Sequence, residues 1–207
     1  MRIKQLTPVT LLLAASINVS AIDISLSVAG ASSLQDSSSS FLSDGSVVWI
    51  GSFDTGFDIS ANVTNFSVLS ANFGYFDDSG IFQGSSQMLT TTIFNPGGSL
   101  PGTFAASGTV EDAGGTQPAI YVWAFNNSVA SSATEYGIFQ MPNLVSGEVP
   151  STSQSLDFAA DLVATWYGTF NSETGIGQLQ AVPEPSTYAL LLGVATLGWV
   201  FQRRRLK

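Results

Sequence analysis

The sequence contains no cysteine and no histidine. Without histidine, Ser-His-Asp and Cys-His catalysis and nearly all imidazole-ligated metal sites are excluded. Without cysteine there is no thiol nucleophile and no disulfide, although only small exported domains depend on disulfides. Positive charge is missing from almost the whole chain. The 6 basic residues are Arg2, Lys4, Arg203, Arg204, Arg205 and Lys207, and none lies between Gln5 and Gln202. The interior therefore has no Ser-Lys dyad, no Schiff-base lysine and no cation to stabilise a negatively charged transition state. A nucleic-acid partner is excluded too, because phosphate binding relies on Lys and Arg releasing counterions. Nor can a side-chain ion pair form there, so stability must rest on apolar burial and hydrogen bonds.

What remains is acidic and apolar. All 15 Asp and Glu residues lie between Asp23 and Glu184, and the formal net charge is -9. Charged residues make up only 10%, but 44% apolar content with 14 Phe and 4 Trp supplies enough surface for a core. At 207 residues the chain has room for one domain of ordinary size.

The two ends differ from the middle. Met1-Arg2-Ile3-Lys4-Gln5 precedes a mainly apolar stretch from Leu6 to Val19, which closes on Ser20-Ala21. Two positive charges, a short apolar segment and small residues form the pattern of a secretory signal peptide. Residues 1-21 are read as that peptide, cut between Ala21 and Ile22, with the secretion translocon and signal peptidase as partners. At the other end, Val182-Pro183-Glu184-Pro185-Ser186 precedes the apolar run Tyr188 to Phe201 and the tail Arg203-Arg204-Arg205-Leu206-Lys207. Two prolines one residue apart prevent helix and favour the extended chain that a protease cleft needs. The run, with Tyr188, Leu190, Leu191, Leu192, Val194, Leu197, Trp199, Val200 and Phe201, is expected to be a membrane helix. From Ser186 to Phe201 it counts 16 residues, about 24 Å of helix against a hydrocarbon core of roughly 30 Å. Snorkelling of the arginines or local thinning would cover the difference. The basic tail, Arg203, Arg204, Arg205 and Lys207, holds the cytoplasmic side and leaves the preceding domain outside.

This end resembles the PEP-CTERM sorting signal of proteins handled by a membrane-embedded exosortase. Tripeptide, apolar helix and basic tail stand in the right order over residues 182-207, with a signal peptide opposite. The resemblance implies export, transient retention in the inner membrane, cleavage near Pro183-Glu184-Pro185 by an exosortase-like protease, and a destination at the cell surface or in the extracellular medium of a bacterium that makes extracellular polysaccharide. It implies nothing about the chemistry of residues 22-181.

Those middle residues read as a mainly β domain, an antiparallel sandwich or barrel-like fold with one short helix. Ile22, Ile24, Leu26 and Val28 alternate with polar residues, the period of a half-buried strand. Further strands are expected over Val47-Phe53, Thr90-Phe94, Gly102-Val110, Ile120-Phe125, Thr134-Met141 and Leu162-Phe170, parted by turn signals such as Asn95-Pro96-Gly97-Gly98. Ala29 to Ser43, with four serines in a row, is expected to be an exposed loop. Ile59, Val63, Phe66, Leu69 or Ser70, and Phe73 recur at three and four residues, as one face of one short helix would.

Carboxylates are the one catalytic resource left, and a glycan hydrolase would need two of them across a cleft. Asp54, Asp58, Asp77 and Asp78 are the best local calcium candidates, since calcium takes oxygen ligands, but each pair also reads as a solvated turn. Tyr121, Trp123, Phe125, Trp166 and Tyr167 suit either a sugar-stacking platform or a core, and core is favoured. The expectation is a non-catalytic surface or matrix protein without a cofactor, the alternatives being a glycan- or calcium-binding adhesion module and a carboxylate-dependent hydrolase.

Overall fold

The computed structural model describes residues 20-27, 33-75, 90-93, 101-112, 118-144 and 152-182, with isolated helical positions at Val194, Thr196 and Gln202. In chain order the elements are β1 (Ser20–Ser27), β2 (Ser33–Gln35), β3 (Val47–Phe53), α1 (Ile59–Asn62), α2 (Phe66–Ala71), β4 (Phe73–Tyr75), β5 (Thr90–Thr92), β6 (Ala105–Asp112), β7 (Ala119–Phe125), β8 (Glu135–Asn143), β9 (Thr152–Asp157), β10 (Ala164–Tyr167), β11 (Thr169–Asn171), β12 (Ile176–Gln178) and β13 (Gln180–Ala181). The fold is mainly β, as expected.

A seven-stranded sheet forms the middle layer, in the order β10-β8-β7-β3-β4. Two positions are shared end to end. β4 pairs with Gly51–Phe53 of β3 while β5 pairs with Val47–Trp49. Likewise β10 pairs with β8 at Ile138 to Gln140, and β13 with the same strand at Glu135 and Tyr136. Two three-stranded sheets, β6-β1-β9 and β11-β12-β2, accompany it.

Period-two alternation on the central strands sends side chains to two separate cores. Val48, Ile50, Val122, Ala124, Phe139 and Met141 pack with Leu34, Phe104, Leu156, Phe158 and Leu179 from the smaller sheets and their connections. Trp49, Phe53, Tyr121, Trp123, Phe125, Tyr136 and Ile138 pack with Ile59 and Leu69 of the two helices. A strand buried on both faces reads as a continuous apolar run, which is why β3 and β7 are so marked in the sequence. Each large side chain so buried contributes about 1.5–3 kcal/mol. Trp123 sits at the centre of the second core, within 5.1–5.9 Å of the rings of Trp49, Phe53, Phe66, Phe73, Phe125 and Tyr136.

Three expectations are corrected. Two short helices replace the one, because Asn65 interrupts the run and caps α2, its side chain accepting from the Val68 amide. Asp58 caps α1 in the same way. Phe73 belongs to β4 and only shares the helices' core. The segment expected to be an exposed loop contains β2, with Leu34 fully buried. Leu162-Phe170 is broken at Gly168, whose φ of +98° suits glycine, and a Cβ there would meet the Gln178 carbonyl at 2.5 Å. The sheets are antiparallel, as expected, apart from β1 with β9 and β2 with β12, which pair in parallel.

Candidate sorting and processing junction

The last described stretch leads directly into the Val182-Pro183-Glu184-Pro185-Ser186 motif. Strand β12 lies parallel to β2. The next residue, Leu179, donates its N–H to the Gln35 carbonyl at 2.8 Å and buries its side chain in the first core. β13 then crosses to the central sheet, with Gln180 opposite Tyr136 and Ala181 opposite Glu135. Within seven residues, Ile176 to Val182, the chain thus joins a small sheet to the large one.

The attachment continues to the first residue of the motif. The Tyr167 hydroxyl donates to the Ala181 carbonyl at 2.7 Å. The Val182 N–H donates to the Thr134 carbonyl at 2.9 Å, and the Val182 side chain packs against the second core. The next residue is proline, which has no N–H to continue such a ladder and holds its predecessor extended.

The receiving groups are themselves held. Asn126 Oδ1 accepts from the amides of Thr134 and Glu135, each at 3.1 Å, and its Nδ2 donates to Thr134 Oγ1 at 3.0 Å. The Tyr167 ring packs against Tyr136 with centroids 5.1 Å apart and planes tilted by 46°, and the Tyr136 hydroxyl donates to the Val63 carbonyl after α1. Burial, and then the neighbouring Tyr167, push the Tyr136 phenol well above its ordinary range.

Beside β13 lies a turn formed by the serine run. Asp36 Oδ1 accepts from Ser38 N–H, Ser38 Oγ and Ser40 N–H at 2.7–2.9 Å. These bonds, that of the Ser38 hydroxyl foremost, hold the Asp36 carboxyl below its usual range. Gln178 of β12 reaches over to the carbonyls of Asp36 and Ser37. Ser37 to Ser40 are exposed, as a serine run suggests, and these bonds hold the turn in place.

Other residues singled out in the sequence fall elsewhere. Tyr121, Trp123, Phe125 and Tyr167 are core, whereas Trp166 is 39% exposed and bonds Gln140. Asp58 is engaged in capping, and Asp54 is exposed. Among the described residues no group of three or more acidic side chains is placed to hold a metal ion. Asp77 and Asp78 lie outside the described residues. So do Pro183, Glu184, Pro185, Ser186, Tyr188, Leu190, Leu191, Leu192, Leu197, Trp199, Val200, Phe201, Arg203, Arg204, Arg205 and Lys207. Val194 is a described helical position, and among the described residues no helix is long and apolar enough to cross a membrane. Ala21 and Ile22 lie in β1, opposite Glu111 and Val110, so a cut between them would leave Ile22–Ser27 to form the strand.

An open groove of about 730 Å³ crosses the β11-β12-β2 sheet, lined by Gln35, Thr169, Asn171, Glu173, Thr174 and Gln178 among others. Much of its polarity serves the fold: Asn171 Oδ1 accepts from the Glu173 and Thr174 amides, and Gln178 holds the serine turn.

Sequence reasoning did not find Thr134, Glu135 or Tyr167 at the junction, because a two-residue strand has no periodicity to detect. The chain matches no curated protein and no solved structure. Residues 181–205 match the PEP-CTERM protein-sorting motif, so the motif begins inside the folded domain at Ala181 and the chain carries the sorting signal of an exosortase substrate.

Proposed function

We propose that residues 22-181 are the exported body of a non-catalytic cell-surface or extracellular-matrix protein. A signal peptide passes it to the translocon and is removed by signal peptidase. The apolar run then holds it in the inner membrane until an exosortase-like protease cuts near Pro183-Glu184-Pro185. The product takes its place on the surface or within extracellular polysaccharide.

The observation that carries this reading is the sorting motif at 181–205, joined without an intervening linker to a folded acidic domain. The charge pattern supports it, since the basic residues are confined to the ends that would stay on the cytoplasmic side. The lack of His, Cys, Lys and Arg within the body supports the non-catalytic part.

Deleting the exosortase gene of the host tests the reading. The expected result is a membrane-bound form that still contains the Arg203-Arg204-Arg205 tail, with the shorter product gone from the medium. Unchanged release in the deletion strain would defeat it. A second arm measures retention of the purified body in the host's own extracellular polysaccharide; free diffusion there would remove the matrix as its destination.

A further inference from the structure

We propose that the fold itself sets the upstream limit of processing: Ala181 and Val182 remain in the sheet, and the sorting protease cuts beyond the Val182–Pro183 bond. The inference rests on the sorting reading for the identity of the protease, but its physical basis is the junction alone.

A protease takes its substrate as an extended strand and reads the backbone N–H and C=O groups on either side of the bond to be cut. On the amino side of the motif those groups are already engaged. The Ala181 carbonyl accepts from Tyr167, the Val182 N–H donates to Thr134, and β13 is paired along β8. Peeling this segment away would draw the Val182 side chain off the aromatic core and leave the Tyr167 hydroxyl, on a side chain 7% exposed, without that acceptor. One residue further back, Leu179 is 2% exposed and would have to leave the first core. A cleft can therefore take hold only downstream of Val182. Tyr167 is a positioning residue in this scheme and touches no reacting atom.

Two measurements test it. Mass mapping of the carboxyl-terminal peptide of product released by the native host should find Pro183 or a later residue last; a product ending at Val182 or earlier overturns the proposal. Separately, full-length protein in detergent is digested with proteinase K. The native domain should resist trimming through Val182. Tyr167→Phe, with an unchanged circular dichroism spectrum, should be trimmed into β13 about tenfold faster, as expected when one hydrogen bond is lost from a local opening equilibrium. If that variant fails to fold, Val182→Ser gives the same reading through lost apolar contact. Equal trimming of variant and native protein overturns the proposal. Should the host release no product at all, the sorting reading fails, while the proteinase K arm still decides whether the segment is locked.

Discussion

Glu135 accepts two hydrogen bonds from Ser37, one from its N–H at 2.7 Å and one from its hydroxyl at 2.6 Å, across 98 residues of sequence. The contact joins the serine turn to the strand that carries β13. With no Lys or Arg in the domain, acidic side chains are used here as acceptors rather than as ion-pair partners.

Glu135→Ala should lower stability by about 1–2 kcal/mol, the usual worth of hydrogen bonds to a charged group at a partly exposed site. Ser37→Ala should cost less, since the backbone bond survives. Urea denaturation midpoints of the two variants and the double variant check this, and the double variant should be no worse than Glu135→Ala alone.

Acid should weaken the fold partly through Asp36. Its carboxyl is held below the ordinary aspartate range by the Ser38 hydroxyl and the Ser40 and Ser38 amides. A depressed folded pKa contributes stability above the unfolded value and loses it as pH falls through the folded one. Asp36→Asn should therefore flatten the fall in urea midpoint below about pH 4. Identical pH profiles would remove Asp36 from the acid response.

Added salt should stabilise the domain. Between Gln5 and Gln202 the chain has acidic side chains and no basic ones, so the folded body repels itself. Raising NaCl from about 10 mM to about 0.5 M shortens the Debye length to a few ångström, and the melting temperature of the body should rise. A fall would show that specific polar contacts outweigh this repulsion.

Gly51 of β3 leaves no room for a side chain, since a Cβ would stand 2.1 Å from the Gly74 carbonyl oxygen and 2.9 Å from the Phe73 ring. Gly51→Ala should cost about 1–3 kcal/mol by forcing β4 away from β3. Thermal denaturation measures the loss.

Trp123 is fully buried, and among the described residues its indole N–H has no hydrogen-bond acceptor. The surrounding rings offer only weak N–H to π contact. Trp123→Ala should cost about 3–5 kcal/mol. Trp123→Phe should cost clearly less, because the cavity is smaller and the orphan donor is gone. Calorimetric unfolding of both variants decides the order.

The elements legible in the sequence are those whose burial follows a local pattern. Val47–Phe53 has the expected bounds, and β7 and β8 lie within two residues of theirs, because apolar residues on two buried faces leave little else to read. The elements that escaped are short strands defined by a distant partner. Ser33–Gln35 is a strand because Ile176–Gln178 lies beside it, and no window of eleven residues contains both. The helical spacing through Phe73 misled for a related reason: a common core, not a common helix, set the period. At the junction the motif itself was evident, whereas its attachment depends on Thr134, Glu135 and Tyr167, each remote along the chain.

The crossing made by Ile176 to Val182 has a consequence for the order of events in the envelope. If the chain crosses the membrane amino end first, as the proposed signal peptide implies, these residues arrive last, just ahead of the apolar run. Until they arrive, β2 lacks its parallel neighbour and β8 at Tyr136 is paired with β7 on one edge alone. On that reading the small sheet is joined to the large one only once the carboxyl end has come through, so maturation on the far side would be timed by the completion of translocation rather than by its onset.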